Sequence, residues 1–119
     1  MAKLMFTKTH EWILVDGQKG KIGLSDYAQK QLGDLVFIEL PALGAKVAAG
    51  RAFMNVESVK AVSELNCPAT GFVLAVNNDL EAAPEKVNQD PMGAWIVEIE
   101  FESLCDCLMS EDDYKKLIG

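Results

Sequence analysis

The feature that most restricts the fold is a series of short β-type segments separated by turn residues at frequent intervals. The clearest turn signal is Asp16-Gly17, which is typical of a two-residue hairpin loop. This turn follows a predicted strand over 5–15, and the other predicted strands cover 19–24, 35–40, 51–57, 62–66, 69–76 and 94–100. Many short strands with frequent turns predict a mostly β sandwich or barrel.

Two helices are predicted beside these strands. Ser25 is typical of a helix N-cap, and the residues that follow it predict a short helix near 26–32 that Gly33 ends. A C-terminal helix is predicted after Ser110, because acidic residues occupy its first turn and lysines come later, as the helix dipole favours. One further helical turn is predicted after Pro84.

The composition restricts both the domain organisation and the class of partner. The chain has 119 residues and half of them are apolar, which predicts a single domain over 1–119. A net charge of −7 argues against binding to nucleic acid or to acidic membrane surfaces. The sequence shows no secretory leader and no apolar segment of membrane-spanning length. We therefore expect a cytoplasmic protein, or one from an organelle matrix if a leader has been removed.

Lys60 lies between two β-type segments, where a hairpin tip is predicted. A lysine is a cation and a weak nucleophile at neutral pH unless burial or a nearby positive charge favours the neutral amine. The neighbours Glu57 and Glu64 have the opposite effect, so Lys60 is a poor candidate for Schiff-base chemistry. An exposed tip would present the amine to another enzyme, which predicts an attachment point. A solvated surface lysine is the alternative.

The segment 56–61 around Lys60 resembles the lipoylation motif of the glycine cleavage system H protein family. Further blocks resemble that family in the same order along the chain: 9–12, 22–29, 32–41, 68–77, 84–91 and 110–114. The resemblance implies a barrel-sandwich hybrid of the lipoyl-domain type, with the modified lysine on an exposed hairpin.

The same resemblance implies a function. Lipoate would be attached to Lys60 as an amide by a lipoate ligase or a lipoyl/octanoyl transferase. A pyridoxal-phosphate-dependent glycine decarboxylase would load the arm with an aminomethyl group, and an aminomethyltransferase would pass the carbon to tetrahydrofolate. Dihydrolipoyl dehydrogenase would then reoxidise the dithiol. The carrier itself would be no enzyme and would have no catalytic residue. A carrier that visits several enzymes is best served as a monomer, so a monomer is expected.

In the family the loaded arm folds back onto the protein, and the groups that hold it correspond to Thr9, Glu11 and Glu64. Carboxylates and a hydroxyl suit an aminomethyl ammonium group. For Glu11 and Glu64 the alternative is a solvated surface acid. His10 is predicted to be a structural hydrogen-bonding residue beside Trp12, with a proton carrier as the alternative.

Three cysteines, Cys67, Cys105 and Cys107, predict free thiols in a reducing compartment, because their number is odd and no secretory signal is present. A zinc site would need all three and His10, and the paired spacing of structural zinc sites is absent, so no metal site is predicted. Cys67 is expected to be a buried structural residue, with disulfide exchange toward a lipoyl dithiol as the alternative.

Some segments differ from the family pattern, namely 66–67, 92–95 and 101–109. These differences leave open an H-like lipoyl relay or redox-modification carrier that serves other lipoate-dependent enzymes. A biotin carrier domain is disfavoured, because Val59 and Ala61 stand where biotinyl domains have methionines. A cysteine enzyme that uses Cys67 or Cys107 with His10 is disfavoured, because no nucleophile signature is present.

Overall fold

The strands of the protein form two antiparallel sheets. The computed structural model describes residues 2–119, so Met1, where the predicted domain begins, lies outside the described residues. The elements are β1 Lys3–Phe6, β2 Glu11–Asp16, β3 Lys19–Leu24, α1 Asp26–Leu32, β4 Leu35–Glu39, β5 Lys46–Val47, β6 Ala52–Ser58, β7 Val62–Asn66, β8 Ala69–Val76, α2 Asp79–Ala82, α3 Lys86–Gln89, β9 Val97–Leu104 and α4 Glu111–Ile118.

The six-stranded sheet has the order β1-β2-β3-β9-β8-β5, and the three-stranded sheet has the order β4-β6-β7. Both sheets contribute to one core, whose most deeply buried side chains include Ile13, Ile22, Ile38, Val56, Leu65 and Ile99. Alternation along each strand places these side chains inward and leaves the other face of the strand outward. The predicted mostly β barrel-sandwich hybrid is confirmed.

The single strand predicted over 5–15 is wrong, because the chain turns back between β1 and β2. Phe6 pairs with Trp12, and the backbone N–H of His10 donates to the Thr7 carbonyl at 3.1 Å. His10 adopts φ +77°, a left-handed conformation that is uncommon outside glycine. The β-type composition of the segment concealed a turn that contains neither glycine nor proline.

Both predicted helix starts are confirmed. The Ser25 hydroxyl accepts a hydrogen bond from the Ala28 N–H at 3.1 Å, and the Ser110 hydroxyl accepts one from the Asp113 N–H at 3.1 Å. The helical turn predicted after Pro84 is α3, whereas α2 was not predicted. None of the helices within residues 2–119 has the length and apolar character needed to cross a membrane.

The last predicted strand is confirmed only over 97–100, and both of its bounds differ from those of β9. It was expected over 94–100, but β9 begins at Val97 and continues to Leu104. Its pairing with β8 contains a bulge at Thr70 and Gly71. A Cβ atom on Gly71 would overlap the carbonyl oxygen of Glu100, so this close backbone approach requires glycine. The extension of β9 brings Cys105 beside Pro68, the second residue after β7, whose carbonyl accepts a hydrogen bond from the Cys105 N–H at 2.8 Å.

Candidate functional site

The β6–β7 hairpin presents Lys60 at its tip, as predicted. Glu57 pairs with Val62, and the residues between Ser58 and Val62 form the connection. Lys60 is exposed. None of the three ion pairs found within residues 2–119 includes its ammonium group. The amine is therefore accessible to a large partner.

Ser58 determines the backbone conformation of the tip. Its hydroxyl oxygen accepts hydrogen bonds from the N–H groups of Lys60 and Ala61, at 3.2 Å and 3.1 Å. The Ser58 N–H in turn donates to the Ala61 carbonyl at 2.8 Å. A serine that bonds to backbone groups two and three residues later is a local turn motif, a signal that the sequence carries at Ser58.

The tip is also held from the side, by the loop that follows α1. The Val59 N–H donates to the Asp34 carbonyl at 3.0 Å. A Cβ atom on Gly33 would lie 3.0 Å from Cε of Lys60, so the lysine stem lies directly over this glycine. Gly33 has φ +80° and ψ −161°, a region of backbone conformation that essentially only glycine occupies.

Asn88 on α3 fixes this supporting loop. Its side-chain nitrogen donates to the Gly33 carbonyl at 2.9 Å, and its side-chain oxygen accepts from the Leu35 N–H at 2.9 Å. The side chain thus bridges both ends of the two-residue connection between α1 and β4. Asn88 is 28 positions from Lys60 in the sequence, and nothing local to either residue indicates this relationship.

The outer face beside the tip combines apolar and acidic groups. Phe37, Glu57 and Val62 lie in one row across the three strands of the smaller sheet, and all three are exposed. Val59 is 67% exposed and Val62 is 66% exposed, so two valines close to Lys60 in the hairpin face solvent. The next row contains Glu64 opposite Asn55, and Glu64 is also exposed.

Glu11 is buried with 1% exposure, so the alternative of a solvated strand residue is wrong for this glutamate. Its carboxylate accepts hydrogen bonds from the hydroxyls of Thr7 and Thr9, both at 2.5 Å, and from the Asn66 N–H at 3.2 Å. Burial raises the pKa of Glu11, and these hydrogen bonds oppose that shift. Thr7 was not identified from the sequence.

The structure therefore brings two of the three predicted arm-docking residues into contact. Thr9 and Glu11 are hydrogen-bonded to each other, whereas Glu64 lies apart from them on the exposed face of β7. Asn66, whose backbone N–H binds Glu11, is two residues beyond Glu64 on the same strand. Along the chain, Glu64 thus lies between Lys60 and Asn66, whose backbone N–H donates to Glu11.

His10, in the turn between β1 and β2, belongs to a second polar network. Its Nδ1 is 2.8 Å from the hydroxyl of Tyr114, and that hydroxyl is 2.7 Å from the hydroxyl of Ser25. Burial lowers the pKa of His10, which favours the neutral ring. The arrangement joins the turn after β1 to the N-terminus of α1 and to α4. It matches the structural role expected of this histidine.

The three cysteines are in two different states. Cys67 is 1% exposed, as expected for a structural residue, and burial raises the pKa of its thiol to about 11. Cys105 and Cys107 form a disulfide bond, so the prediction of three free thiols is wrong. The turn between β9 and α4 brings the two residues to a Cα separation of 5.1 Å, which permits the bond. No cluster of metal-ligating side chains occurs within residues 2–119.

The fold and this hairpin define a class, that of lipoyl-domain-like barrel-sandwich hybrids with one lysine at an exposed tip. Comparisons with known proteins are more specific. The sequence profile of the family described as "Glycine cleavage H-protein" matches residues 4–119. The chain therefore belongs to the glycine cleavage H-protein family.

Individual relatives agree with this assignment. The glycine cleavage system H protein of Koribacter versatilis is 50% identical over 117 residues, covering 97% of this chain and 90% of the relative. The corresponding protein of Carboxydothermus hydrogenoformans is 48% identical, covering 97% and 91%. A crystal structure of the protein from Mycobacterium marinum superposes with a TM-score of 0.92 at 33% identity, covering 98% and 97%.

Proposed function

We propose that this protein is the lipoyl-bearing carrier of a glycine cleavage system and that lipoate is attached as an amide to Lys60. The observation that supports this most directly is the accessible lysine on a tip whose backbone is hydrogen-bonded from both sides. When bound, the lipoyl group supplies a dithiol/disulfide that accepts the aminomethyl group derived from glycine. The residues of this chain attach and orient that group.

Ser58 and the Gly33–Asp34 loop give the lysine stem a defined starting direction. A fixed stem with a long flexible arm lets one attachment point reach the active sites of several docked enzymes, and it raises the local concentration of the bound group. The exposed apolar residues next to Lys60, Val59 and Val62, provide a surface that a lipoylating enzyme can contact.

We further propose that Thr9, Glu11 and Glu64 hold the loaded arm. Glu11 is already bound by two threonine hydroxyls, so an incoming ammonium group would join an existing set of polar groups. Glu64 is exposed and lies on the same hairpin as Lys60, where it can contact an arm that extends from Lys60 toward Glu11. Substituting Glu11 or Glu64 would then weaken docking without preventing attachment.

The partners under this proposal are a glycine decarboxylase, an aminomethyltransferase, a dihydrolipoyl dehydrogenase and a lipoate ligase or lipoyl/octanoyl transferase. The protein acts as a single-domain, monomeric carrier and catalyses no step itself. We propose the cytoplasm as its location, or an organelle matrix after removal of a leader.

The attachment site is tested by intact-mass measurement after co-expression with a lipoate ligase. We expect one lipoyl group on the unaltered protein and none on Lys60→Arg, because arginine keeps the charge but offers no acylable amine. Lys46→Arg is the matched control on β5, and it should accept lipoate normally. A lipoylated Lys60→Arg protein would contradict the assignment.

A second candidate function, a lipoyl relay or redox-modification carrier for other lipoate-dependent enzymes, is favoured by one observation. The segment 101–109, which departs from the family pattern, contains the disulfide. Glycine–bicarbonate exchange with a purified glycine decarboxylase separates the two candidates. Exchange that depends on the lipoylated protein supports glycine cleavage, whereas its absence with a folded, lipoylated protein favours the relay.

A further inference from the structure

The Cys105–Cys107 disulfide is a reactive group that the proposed function does not use. It lies in the connection between β9 and α4, where Cys107 is exposed and Cys105 is half-buried. Thiol–disulfide exchange requires that an attacking thiolate reach a sulfur atom. A disulfide with one cysteine exposed to solvent suits this requirement, whereas the buried Cys67 does not.

The segment that contains the disulfide is held at both ends. The Cys105 N–H donates to the Pro68 carbonyl at 2.8 Å. Met109 exchanges two backbone hydrogen bonds with Phe6, each at 2.9 Å. These contacts do not involve the sulfur atoms, so opening the disulfide removes none of their donors or acceptors. The oxidised and reduced forms can therefore share one backbone conformation, and exchange does not require unfolding of the loop.

The two sulfur atoms are not equivalent. The backbone N–H of Cys107 lies 3.2 Å from Sγ of Cys105 and donates a hydrogen bond to it. A donor in this position stabilises negative charge on Sγ of Cys105 when that sulfur leaves as a thiolate. Cys107 is the more exposed of the two residues. The geometry thus favours attack at Sγ of Cys107 with Cys105 as the leaving group.

The charge near the disulfide selects among reductants. Asp106 lies between the two cysteines and Glu102 lies on the end of β9, and both are exposed. The whole chain has a net charge of −7. These charges repel anionic thiols such as glutathione but not an uncharged dithiol. Cys67 cannot act as a third exchanging thiol, since burial raises its pKa to about 11.

We propose that Cys105 and Cys107 form a two-electron redox site that accepts electrons from an uncharged dithiol of the dihydrolipoyl amide type. The inference rests on the proposed function only for the source of that dithiol. One thiolate of the dithiol attacks Sγ of Cys107, the bond between Cys105 and Cys107 breaks, and Cys105 leaves as a thiolate that takes up a proton.

The second thiol of the dithiol then loses its proton and attacks its own sulfur that is bonded to Cys107. The dithiol closes to a cyclic disulfide, and Cys107 leaves and takes up a proton. The protein disulfide gains the two electrons and two protons that the dithiol loses, so no other oxidant is needed. The reaction is reversible, and the reduced pair can return the electrons to a cyclic disulfide.

The test uses the Lys60→Arg protein, which carries no lipoyl arm of its own under the proposed function. This protein is mixed with dihydrolipoamide under anaerobic conditions. We expect the protein to gain the mass of two hydrogen atoms and about one equivalent of lipoamide to form. Cys67→Ala in the same background should behave identically, and Cys105→Ser/Cys107→Ser should form no lipoamide. Circular dichroism confirms that each variant is folded. Absence of exchange in an oxidised, folded protein would overturn the proposal.

The substrate class is tested with two donors that differ in one charge, dihydrolipoamide and dihydrolipoate. We expect the amide to react severalfold faster at low salt, and Asp106→Asn to reduce the difference. Equal rates for the two donors would overturn the assignment of an uncharged substrate. Lipoylation of Lys60 is measured separately by mass, so failure of the proposed function and failure of this inference give different results.

Discussion

At the scale of single residues, the feature with the clearest energetic consequence is the buried carboxylate of Glu11. An ionised carboxylate away from water is costly unless hydrogen-bond donors compensate, and here two hydroxyls and one backbone N–H do so. Burial still raises its pKa from the ordinary 4.5. The folded protein therefore binds this proton more tightly than the unfolded chain does.

The pH dependence of stability tests this directly. Because the folded-state pKa of Glu11 is raised, its contribution to stability is fully present below about pH 4.5 and is lost as pH rises through the raised value. Glu11→Gln removes this titration. We therefore expect the free energy of unfolding of the unaltered protein, relative to Glu11→Gln, to fall with rising pH in urea titrations.

Glu64→Gln is the control for this experiment, because it removes the charge of an exposed glutamate from the neighbouring hairpin. A free-energy difference between the unaltered protein and Glu11→Gln that is constant with pH, or that rises with it, would contradict the expected shift.

The sequence predicted some residues of the candidate site and not others. Lys60 was located at a hairpin tip from its flanking strands, and Thr9 and Glu11 were identified through family resemblance. Thr7 and Asn88 were missed, because their partners depend on how distant segments meet. Asn88 bonds to residues 53 and 55 positions away, and no local pattern records such contacts.

At the scale of elements, the support of the Lys60 tip depends on the end of α1. Gly33 ends the helix, and its N–H donates to the Gln29 carbonyl at 2.9 Å. Its conformation then turns the chain beneath the lysine stem. Gly33 thus both ends α1 and supports the side chain of Lys60.

We expect Gly33→Ala to destabilise the protein by about 1–3 kcal/mol, because alanine rarely adopts this backbone conformation. It should also slow lipoylation, since the added Cβ would press on Cε of Lys60 at 3.0 Å. The matched control is Gly44→Ala, because Gly44 also has φ +80° but open space around it. Urea unfolding and the rate of mass gain with a lipoate ligase measure the two effects. Equal lipoylation rates in the two variants would contradict the role of Gly33.

The bounds of helices and strands could be predicted from the sequence only where a local interaction sets them. The N-caps Ser25 and Ser110 were predicted, because capping is a local interaction within three residues. The turn at 7–10 was not predicted, because it contains neither glycine nor proline and is held by hydrogen bonds of Thr7 and Thr9 to the buried Glu11. The start of β9 depends on pairing with β3 and β8, which the alternation of its own residues does not specify.

At the scale of the whole molecule, Tyr114 connects the two ends of the chain. Its ring stacks on Phe6 with centroids 4.3 Å apart, and its hydroxyl contacts His10 and Ser25. The C-terminal helix is thereby joined to β1, to the turn that precedes Glu11 and to the N-terminus of α1. Burial also raises the pKa of Tyr114.

Tyr114→Phe should therefore destabilise the whole protein by about 1–3 kcal/mol, because it removes the shared partner of two polar groups and keeps the ring. Tyr27→Phe is the matched control, since Tyr27 packs near the same histidine with centroids 4.6 Å apart. The free energy of unfolding from urea titrations measures both. An equal or larger loss for Tyr27→Phe would contradict the connecting role of Tyr114.

The amino-acid sequence by itself determined the β-rich class, the helix caps and the lysine at the hairpin tip, because each depends on residues close together in the chain. Only the tertiary structure decided that Glu11 is buried and that Gly33 and Asn88 support Lys60. These outcomes depend on hydrogen bonds, burial and close approach between segments whose positions are fixed only when the two sheets and their connecting loops pack together.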